Sequence, residues 1–435
     1  MSYVKLGNNV FRNQSTPINF FDTDRLRHMY MIGKTGVGKS SLFANMALQD
    51  IINLNGLCFI DPHGETISWL LERIPASRLE DVIVFDPSDA QNPLGLNLLE
   101  ARTEAERDFL VSELIEIFYK LFDPEKTGII GPQFEHWLRN AALTIMADPA
   151  GGSLLEIPKL FTDKSFEQKK RKFVKDILVQ EFWQNQMAKT SDFHKSEMLN
   201  YFTSKFGHFL NNALCRNIIG QTKSGLHFDQ IIANEKILLV DLSKGKIGDL
   251  NSRFLGLILI SKLQAAVLKR ASLKKAGLSA PASEPGFPPF YLYVDEFQNM
   301  TTDTFANMLS ESRKYGLGVH LTNQYFQQLP ENIQNAVLGN VGTLLAFQLG
   351  IEDAETLEKE FSPFTKDDLS NLDKFNFYLK LMSGGQSTRP FSGVSLPPMD
   401  TAANTKAQTV KTLTALAYAH PRLLVEQQLN RRMRI

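Results

Sequence analysis

The sequence contains little of several features that would fix a class of protein at once. Lysine plus arginine and aspartate plus glutamate are equal at 47 each, so the formal net charge is zero and composition alone predicts no affinity for nucleic acid. Only two cysteines are present, Cys58 and Cys215, which is too few for a disulfide scaffold and typical of a reducing compartment. The composition, 43% hydrophobic and 22% charged, is that of a globular protein.

No apolar run reaches the length of a membrane span. The most apolar long stretch, from Phe254 to Leu268, is interrupted by Lys262 and Gln264 and falls short of the roughly 20 residues that a span needs. The first residues do not combine a basic region with an apolar core, so we expect no signal peptide. We therefore expect a cytoplasmic protein without integral membrane insertion.

Short apolar runs recur along the chain with helical patterns between them. The runs are His28–Ile32, Leu57–Ile60, Val82–Phe85, Ile237–Val240, Phe290–Val294, Gly318–Leu321, Thr343–Phe347 and Phe377–Leu381. Because most of them are apolar without alternation, they are typical of fully buried parallel strands. The helical patterns between several of them, such as Ser40–Ile52 and Ser252–Arg270, indicate an α/β fold with a mainly parallel sheet.

The region 103–234 departs from this alternation. Its apolar residues recur at helical spacing, as Leu110, Leu114 and Ile117 do, and it contains no convincing strand. Helical patterns within it include Phe166–Asn185 and Ser196–Leu214. We therefore expect an all-helical domain inserted between two strands. The expected organisation is a first part of the α/β domain at 1–102, the inserted domain at 103–234, a second part at 235–398 and a helical tail at 399–435.

A glycine-rich motif follows the first of these strands. It reads Gly33, Lys34, Thr35, Gly36, Val37, Gly38, Lys39, Ser40 and matches the phosphate-binding pattern G-x-x-x-x-G-K-[ST]. Its glycines allow backbone N–H groups to surround phosphate oxygens, and the helix that follows adds positive charge at its N-terminus. We expect Lys39 to bind the β- and γ-phosphates of ATP and Ser40 to bind Mg²⁺, with Thr35 and Ser41 as supporting contacts.

Two adjacent carboxylates end a later strand. Asp295 and Glu296 follow the apolar run Phe290–Val294. In P-loop ATPases the first acid of such a pair positions Mg²⁺ and the second activates the attacking water, so we expect Asp295 to serve the metal and Glu296 to be the catalytic base. With the phosphate loop and the alternating pattern, the pair predicts a RecA-like P-loop NTPase fold that binds ATP and Mg²⁺.

Polar residues follow two other strands at the same edge of the predicted sheet. Gln324 follows Gly318–Leu321 and is placed to sense the γ-phosphate, although a strand-end turn is the alternative. Asp61, His63 and Glu65 follow Leu57–Ile60. They fit a contribution to the Mg²⁺ site and an ordinary turn equally well.

Two arginines are candidates for stabilising charge in a neighbouring subunit's site. Arg313 lies at the end of a helix between the acidic pair and Gln324, and Arg389 lies in a Gly/Ser-rich segment. A guanidinium that reaches a neighbour's γ-phosphate acts as an arginine finger. Surface arginine is the alternative for each.

Several sequence segments resemble one superfamily in their order along the chain. The segments are GKTGVGKSSL, FIDPHGE, ILLVDLSKGKIG, YLYVDEFQNM and SRKYGLGVHLTNQY. Together they resemble the FtsK/HerA superfamily of P-loop ATPases, and most of all the coupling proteins of conjugative type IV secretion (TraG/TraD type). The resemblance implies a hexameric ring that moves DNA through its lumen, with Lys39 and Ser40 in the Walker A roles and Asp295 and Glu296 in the Walker B roles. It also implies a sensor role for Gln324, a trans arginine in Arg313 and an all-α domain like the inserted one.

The likeness is incomplete in two respects. Typical coupling proteins carry N-terminal transmembrane helices, and we expect none in this chain. HerA-type helicases carry an N-terminal β-barrel, and the roughly two dozen residues before the Met29 strand are too few to form one. We expect a DNA-translocating ATPase that partners such as a relaxase or a secretion-system protein recruit to the inner face of the membrane. A HerA-like helicase that works with a nuclease in repair or defence, and an ATP-gated recruitment protein, are the alternatives.

Local support for DNA binding is weaker than support for ATP. The segment from Asp163 to Lys223 contains eleven lysines and arginines but only six acidic residues, with aromatic residues among them. A basic patch with aromatic side chains is typical of nucleic-acid binding. A solvated helix face around Lys169–Lys172, with the aromatic side chains in the core, is the alternative.

Overall fold

The structure, a computed structural model, describes residues 2–12, 14–275, 287–399 and 406–433. These residues divide into two compact units. The first consists of Met1–Phe85, Asp229–Ser243 and Ala266–Leu413, and the second of Asp86–Phe228, Lys244–Ala265 and Thr414–Ile435. The domain boundaries expected from the sequence stay a prediction.

A mixed sheet forms the centre of the first unit. The strands, in chain order, are β1 (Tyr3–Phe11), β2 (Gln14–Phe21), β3 (Met29–Ile32), β4 (Gly56–Asp61), β5 (Val82–Phe85), β6 (Ile237–Asp241), β7 (Phe290–Val294), β8 (Leu317–Asn323), β9 (Thr343–Ala346), β10 (Asn376–Lys380), β11 (Met382–Ser383), β12 (Gln386–Ser387) and β13 (Phe391–Ser395). Within the described residues, eleven of them form one sheet in the order β2-β1-β13-β10-β9-β3-β8-β7-β4-β6-β5, and β11 pairs with β12 separately.

The strands from β9 to β5 in that order pair in parallel, and the other four are antiparallel. The predicted α/β class with a mainly parallel sheet is confirmed, and each apolar run identified in the sequence is a strand. Strands β1, β2 and β13 were not predicted. Exposed and buried residues are mixed along them, as expected for strands at the outer part of a sheet.

Helices connect the strands and also build the second unit. They are, in chain order, α1 (Asp22–Arg25), α2 (Lys39–Ile52), α3 (Glu65–Leu71), α4 (Glu104–Phe122), α5 (Pro132–Met146), α6 (Ile157–Thr162), α7 (Lys164–Arg171), α8 (Ile177–Glu181), α9 (Asp192–Leu210), α10 (Ala213–Ile219), α11 (Phe228–Ala233), α12 (Lys244–Ile247), α13 (Asp249–Lys275), α14 (Phe305–Glu311), α15 (Glu331–Asn340), α16 (Ile351–Leu357), α17 (Lys366–Ser370), α18 (Ala407–Tyr418) and α19 (Arg422–Met433). In the parts of the chain that the structure describes, none of them is both long and apolar enough to cross a membrane.

The core of the first unit lies between α2 and the sheet. Tyr293 on β7 stacks on Phe59 of β4 with ring centroids 5.6 Å apart, and Phe43 of α2 packs edge-on against Tyr293 at 5.3 Å. Below these rings Arg25 is fully buried and donates two hydrogen bonds of 2.6 Å to Asp50. The apolar layer and this ion pair together fix α2 against the strands that carry the site.

The chain between β5 and β6 forms helices, as its apolar spacing predicts. Aromatic side chains fill the core of this unit: Phe134 stacks on Phe202, and Phe118 packs against Phe206, each pair with centroids 4.7 Å apart. Two predicted helices are wrong in extent. The segment Phe166–Asn185 is broken because Asp176 caps a new helix, and Ser196–Leu214 is broken because Asn212 does the same.

Most aromatic residues of the basic segment lie in this core. Phe182, Trp183 and Phe202 are buried, so their rings are not available for stacking on bases. Within the lysine run, Lys170 is buried and pairs with Asp148 at 2.7 Å and Glu156 at 3.1 Å. Lys169 and Lys172 are exposed. The core interpretation of these three rings is therefore right, and the exposed lysines remain available to an acidic partner.

Candidate active site

Four parallel strands end at one edge of the sheet, and the residues that follow them line a single cavity. Gly33 follows β3, Gln324 follows β8, Asp295 follows β7, and Asp61 is the last residue of β4. The cavity has a volume of about 400 Å³, and its lining includes Gln324, Asp295 and Asp61. Ligands of open α/β sheets bind at this edge.

The glycine-rich loop forms one wall of the cavity. Gly36 and Gly38 have φ values of +78° and +118°, which side chains with a Cβ rarely adopt. The loop is tied to the sheet by the N–H of Lys34, which donates to the carbonyl oxygen of Gln348 at 2.9 Å. Val37 points its side chain into the core and is 3% exposed, so only its backbone can serve a ligand.

Lys39 is the first residue of α2 and its side chain lies across the loop. Its Nζ donates to the carbonyl oxygens of Gly33 at 2.6 Å and Lys34 at 2.8 Å. Burial lowers the pKa of Lys39, and the nearby carboxylates of Asp295 and Glu296 oppose that effect. The ammonium group is thus held in a partly dehydrated position at the start of a 14-residue helix, where positive backbone charge also accumulates.

Ser40 and Asp295 are 255 residues apart in the sequence but approach each other in the cavity. The Ser40 hydroxyl donates to Asp295 Oδ2 at 3.4 Å. Burial raises the pKa of Asp295 to about 7, the carboxylates of Asp61 and Glu296 add to that shift, and Lys39 opposes it. A buried carboxylate among other acids is stabilised in its charged form by a cation, so the pair forms a natural place for a divalent ion.

The residues present fit Mg²⁺ bound together with a nucleotide. In the described chain, no group of three or more His, Cys, Asp and Glu side chains is arranged to hold a metal by itself. A magnesium ion characteristically takes one or two protein ligands and fills its other positions with water and phosphate oxygens. One hydroxyl from Ser40 and one carboxylate from Asp295 match that pattern.

Glu296 is held by two amide side chains. Its backbone has a φ of +51°, and its carboxylate accepts from Gln324 Nε2 at 2.9 Å and from Gln298 Nε2 at 2.5 Å. The Oε1 of Gln324 accepts from the hydroxyl of Thr35 at 3.0 Å. A continuous hydrogen-bonded chain therefore runs from the phosphate loop through Gln324 to Glu296.

Asp61 has two uses in the structure. Its carboxylate accepts from the backbone N–H groups of His63 at 2.7 Å and Thr66 at 2.9 Å, which shapes the turn into α3. The same residue lines the cavity together with His63 and Glu65. Asp61 therefore shapes the turn, as one of the two sequence interpretations proposed, and its negative charge also raises the pKa of Asp295.

The two candidate arginines lie away from this cavity. Arg313 is exposed and precedes β8, so it lies at the edge opposite to the residues that follow β8. Arg389 is exposed and precedes β13, which pairs antiparallel with β10 and places Arg389 at that same opposite edge. Neither lines the cavity of its own subunit. A role in a neighbouring subunit's site stays a prediction for both.

Sequence reasoning missed two residues at this site. Gln298 lies two positions after Glu296 in a short 3₁₀ turn, and a polar amide so close to a candidate base is a signal that could have been used. Phe375 lines the cavity from the segment before β10. Nothing in its sequence context indicates this position, because it depends on the pairing of distant strands.

A family model described as the TraM recognition site of TraD and TraG matches residues 289–363. This segment contains β7, β8 and β9, together with Asp295, Glu296 and Gln324. The chain resembles the TraG/TraD-type conjugative coupling ATPases. The resemblance inferred from the sequence motifs is thereby confirmed. The comparison with curated proteins gives no significant match.

Solved structures support the same fold. The bacterial conjugative coupling protein TrwB, in an unbound form, matches at 16% identity with a TM-score of 0.61, covering 92% of this chain and 90% of that one. TrwB with ADP and Mg²⁺ matches at 15% identity with a TM-score of 0.60 and coverage of 94% and 98%. VirB4 of Thermoanaerobacter pseudethanolicus matches at 15% identity with a TM-score of 0.55 and coverage of 91% and 96%. The RecA-like P-loop ATPase fold is therefore confirmed.

Proposed function

We propose that this protein hydrolyses ATP in the cavity between the glycine-rich loop and the acidic pair, and uses that energy to move DNA. The observation that carries the hydrolysis proposal is the 3.4 Å approach of Ser40 Oγ to Asp295 Oδ2. A phosphate loop and a strand-end carboxylate must meet in this way to share one magnesium–nucleotide complex. The nucleotide and Mg²⁺ complexes of TrwB support the same assignment.

Each group in the cavity has a defined part in this proposal. The loop N–H groups and the N-terminus of α2 bind the phosphates, and Lys39 moves from the carbonyl oxygens of Gly33 and Lys34 to the β- and γ-phosphates. Ser40 and Asp295 would hold a Mg²⁺ ion, which would supply positive charge to the phosphate oxygens. Supporting contacts come from Thr35 and Ser41.

Glu296 is the proposed base for the attacking water. Its two amide partners fix the carboxylate in one orientation, and the aligned carboxylate then accepts a proton from water in line with the γ-phosphate. Gln324 contacts both Glu296 and Thr35, so a change at the γ-phosphate alters the hydrogen bonds of the base. This arrangement supports a sensor role for Gln324.

The test separates binding from hydrolysis. Lys39→Ala is expected to remove ATP binding, measured by calorimetry with Mg²⁺ present. Glu296→Gln keeps the size of the side chain and is expected to bind ATP but lose hydrolysis by about a hundredfold or more. Glu331→Gln, an exposed glutamate at the start of α15, is the matched control. A Glu296→Gln enzyme that turned over at the wild-type rate would show that another group is the base.

The DNA proposal rests on the resemblance to coupling proteins. A hexameric ring would place each cavity near a neighbouring subunit, where Arg313 or Arg389 from that neighbour supplies positive charge at the γ-phosphate. DNA would pass through the ring lumen. The exposed lysines Lys169 and Lys172 of the helical unit are candidate contacts to its phosphates.

Two measurements test this part. The native mass in the presence of ATP is expected to correspond to six copies, and DNA is expected to stimulate hydrolysis. A protein without DNA stimulation but with ATP-dependent capture of a protein partner would instead be an ATP-gated recruitment protein. Stimulation by DNA only in the presence of a nuclease partner would favour the HerA-like alternative.

The proposed partners are a relaxase or another protein of the DNA-processing or secretion machinery. The matched family model is described by TraM recognition in TraD and TraG. In this chain every residue of the matched strands β7, β8 and β9 is buried. A partner of that kind would therefore contact exposed side chains of the segment, such as Tyr325 and Ile351. Recruitment to the membrane is proposed to depend on such partners.

A further inference from the structure

We propose that Phe375 is the residue on which the base of the bound nucleotide stacks, an assignment that rests on the proposed binding of ATP. Phe375 lies between α17 and β10, at the same edge of the sheet as the phosphate loop. Its side chain lines the cavity and is 44% exposed, so much of the ring is free to receive a ligand. It is the one large apolar side chain among the lining residues that the structure describes.

The ring is pressed against the phosphate loop. A Cβ atom added to Gly38 would lie 2.8 Å from Cδ1 of Phe375, closer than real Cβ contacts come. The backbone N–H of Phe375 donates to the carbonyl oxygen of Val37 at 2.9 Å. The ring therefore packs directly on the loop. When the phosphates of a nucleotide occupy the loop, its sugar and base lie close to the ring.

The backbone of Phe375 is held in a conformation that a bulky residue rarely adopts. Its φ is +69°, in the left-handed region. The N–H bond to Val37 fixes one side of the residue, and the N–H of Ser395 donates to its carbonyl oxygen at 2.8 Å on the other. Backbone strain at a bulky, half-exposed residue beside a binding loop supports the hypothesis of a functional role.

The lining of the cavity indicates which end of the nucleotide meets this ring. The groups proposed to act on the γ-phosphate, Glu296 and Gln324, follow β7 and β8, on one side of β3 in the sheet. Phe375 precedes β10, which lies beyond β9 on the other side of β3. A triphosphate that spans the loop with its last phosphate at Glu296 directs its sugar and base toward Phe375.

The chemistry of the ring defines what it recognises. Every base can stack on an aromatic face. Replacing such an aromatic residue by alanine lowers affinity roughly five- to hundredfold per base. The ring is therefore proposed to favour nucleoside triphosphates over inorganic polyphosphates. It does not by itself separate adenine from guanine.

The experiment compares two ligands that share phosphates and differ in the base. Binding of ATP and of inorganic tripolyphosphate, each with Mg²⁺, is measured by calorimetry on the Glu296→Gln background so that no hydrolysis occurs. Phe375→Ala is expected to raise the Kd for ATP about ten- to hundredfold and to change the Kd for tripolyphosphate less than about twofold. Phe375→Tyr keeps an aromatic face and is expected to bind both ligands as Glu296→Gln alone does.

Phe375→Gly removes the ring and suits the positive φ, so it covers the case in which the alanine variant folds poorly. Equal weakening of both ligands in the glycine variant would overturn the proposal, because the ring would then only position the loop. Unchanged ATP binding would overturn it too. The proposed ATP site itself would be wrong if the Glu296→Gln protein bound neither ligand, or if Lys39→Ala did not weaken its ATP binding. These outcomes differ from the two that would overturn the role of Phe375 alone.

Discussion

Gln324 joins the phosphate loop to the proposed base: its Nε2 donates to Glu296 at 2.9 Å and its Oε1 accepts from Thr35 at 3.0 Å. An amide has one donor side and one acceptor side, so the orientation of this side chain is determined by both contacts at once. A nucleotide that displaces Thr35 from Gln324 would free the amide to rotate. The base would then change its hydrogen bonds in step with the nucleotide.

Replacement of Gln324 by alanine is expected to slow hydrolysis by about a hundredfold while ATP affinity stays within about threefold of wild type. The reason is that Gln324 orients the carboxylate that acts on the water but does not carry the phosphate charge. Steady-state kinetics and calorimetry give the two values. Gln328→Ala, an exposed glutamine in the next turn, is the control. Loss of ATP binding with an unaltered turnover at saturation would contradict the sensor assignment.

Gln298→Ala is expected to reduce turnover by a smaller factor, about tenfold. Gln298 donates to the other oxygen of Glu296 at 2.5 Å, so its loss leaves the carboxylate with Gln324 alone. In Gln298→Glu the donor is replaced by a second carboxylate beside the base, which is expected to be worse than alanine because like charges repel. The order of turnover rates, wild type above alanine above glutamate, is the result to look for.

The buried pair Arg25–Asp50 is expected to be a major contribution to stability. Both side chains are completely buried, and two hydrogen bonds of 2.6 Å connect them. Asp50→Ala removes both of these bonds and leaves the buried guanidinium with Asp22, at 3.1 Å, as its remaining carboxylate partner, so it is expected to lower the free energy of unfolding by about 3 kcal/mol. Urea denaturation followed by circular dichroism measures the loss.

Lys366→Ala removes an exposed pair with Glu355 and serves as the control, with little expected effect on the free energy of unfolding because solvent screens an exposed pair. Equal costs for the two variants would show that the buried pair contributes no more than a surface pair.

Acid is expected to destabilise the first unit through His28. Burial lowers the pKa of His28 to about 4, and its Nδ1 accepts from the N–H of Val319 at 3.1 Å, so the folded protein holds this ring neutral. The unfolded chain binds the proton near pH 6.5. The contribution to stability is therefore complete above pH 6.5 and is lost as pH falls toward 4, by roughly 3 kcal/mol in total.

The test compares the wild type with His28→Asn, because asparagine tolerates the positive φ of 66° at this position. The free energy of unfolding of the variant is expected to fall less steeply between pH 6.5 and 4 than that of the wild type. Parallel curves for the two proteins would rule out titration of His28.

Lysines at the end of α7 and just after it are expected to differ in function. Buried Lys170 pairs with Asp148 and with buried Glu156, so Lys170→Ala should destabilise the helical unit by about 3 kcal/mol. Lys169 and Lys172 are exposed, and their joint replacement by alanine should leave stability and basal hydrolysis unchanged while weakening stimulation by DNA. The salt dependence of stimulation, measured on the wild type and the double variant, shows how many DNA phosphates these two lysines neutralise. A double variant with wild-type stimulation would place DNA elsewhere.

The sequence predicts the central strands because they are continuous apolar runs between helical patterns. It also predicts the residues that follow them, since the carboxyl ends of parallel strands share one edge. The phosphate-loop motif and the acidic pair, each at such a strand end, were enough to predict that Ser40 and Asp295 meet. Strands β1 and β13 could not be predicted. Gly7 and Ser395 are partners across almost the whole chain, and no local pattern encodes such a pairing.

Phe375 escaped prediction for a related reason. Its place at the cavity follows from β10 packing beside β9, from the turn that ends at Asn376 and from a bond to Ser395. The broken helices of the second unit are a different case. Asp176 and Asn212 are good capping residues that were present in the sequence, but a long helical pattern outweighed them.

The outer strands connect β1 to Phe375, the residue proposed to stack on the base of the nucleotide. Strand β1 pairs with β13 through Gly7 and Ser395, and the N–H of Ser395 holds the carbonyl oxygen of Phe375. A shortened chain without residues 1–21, or a bulky fusion that disturbs β1, would loosen that support from a distance. Affinity for nucleotide in such a protein would report on the integrity of the sheet margin, and enzyme prepared with an altered amino terminus should be compared with the unaltered chain before its activity is interpreted.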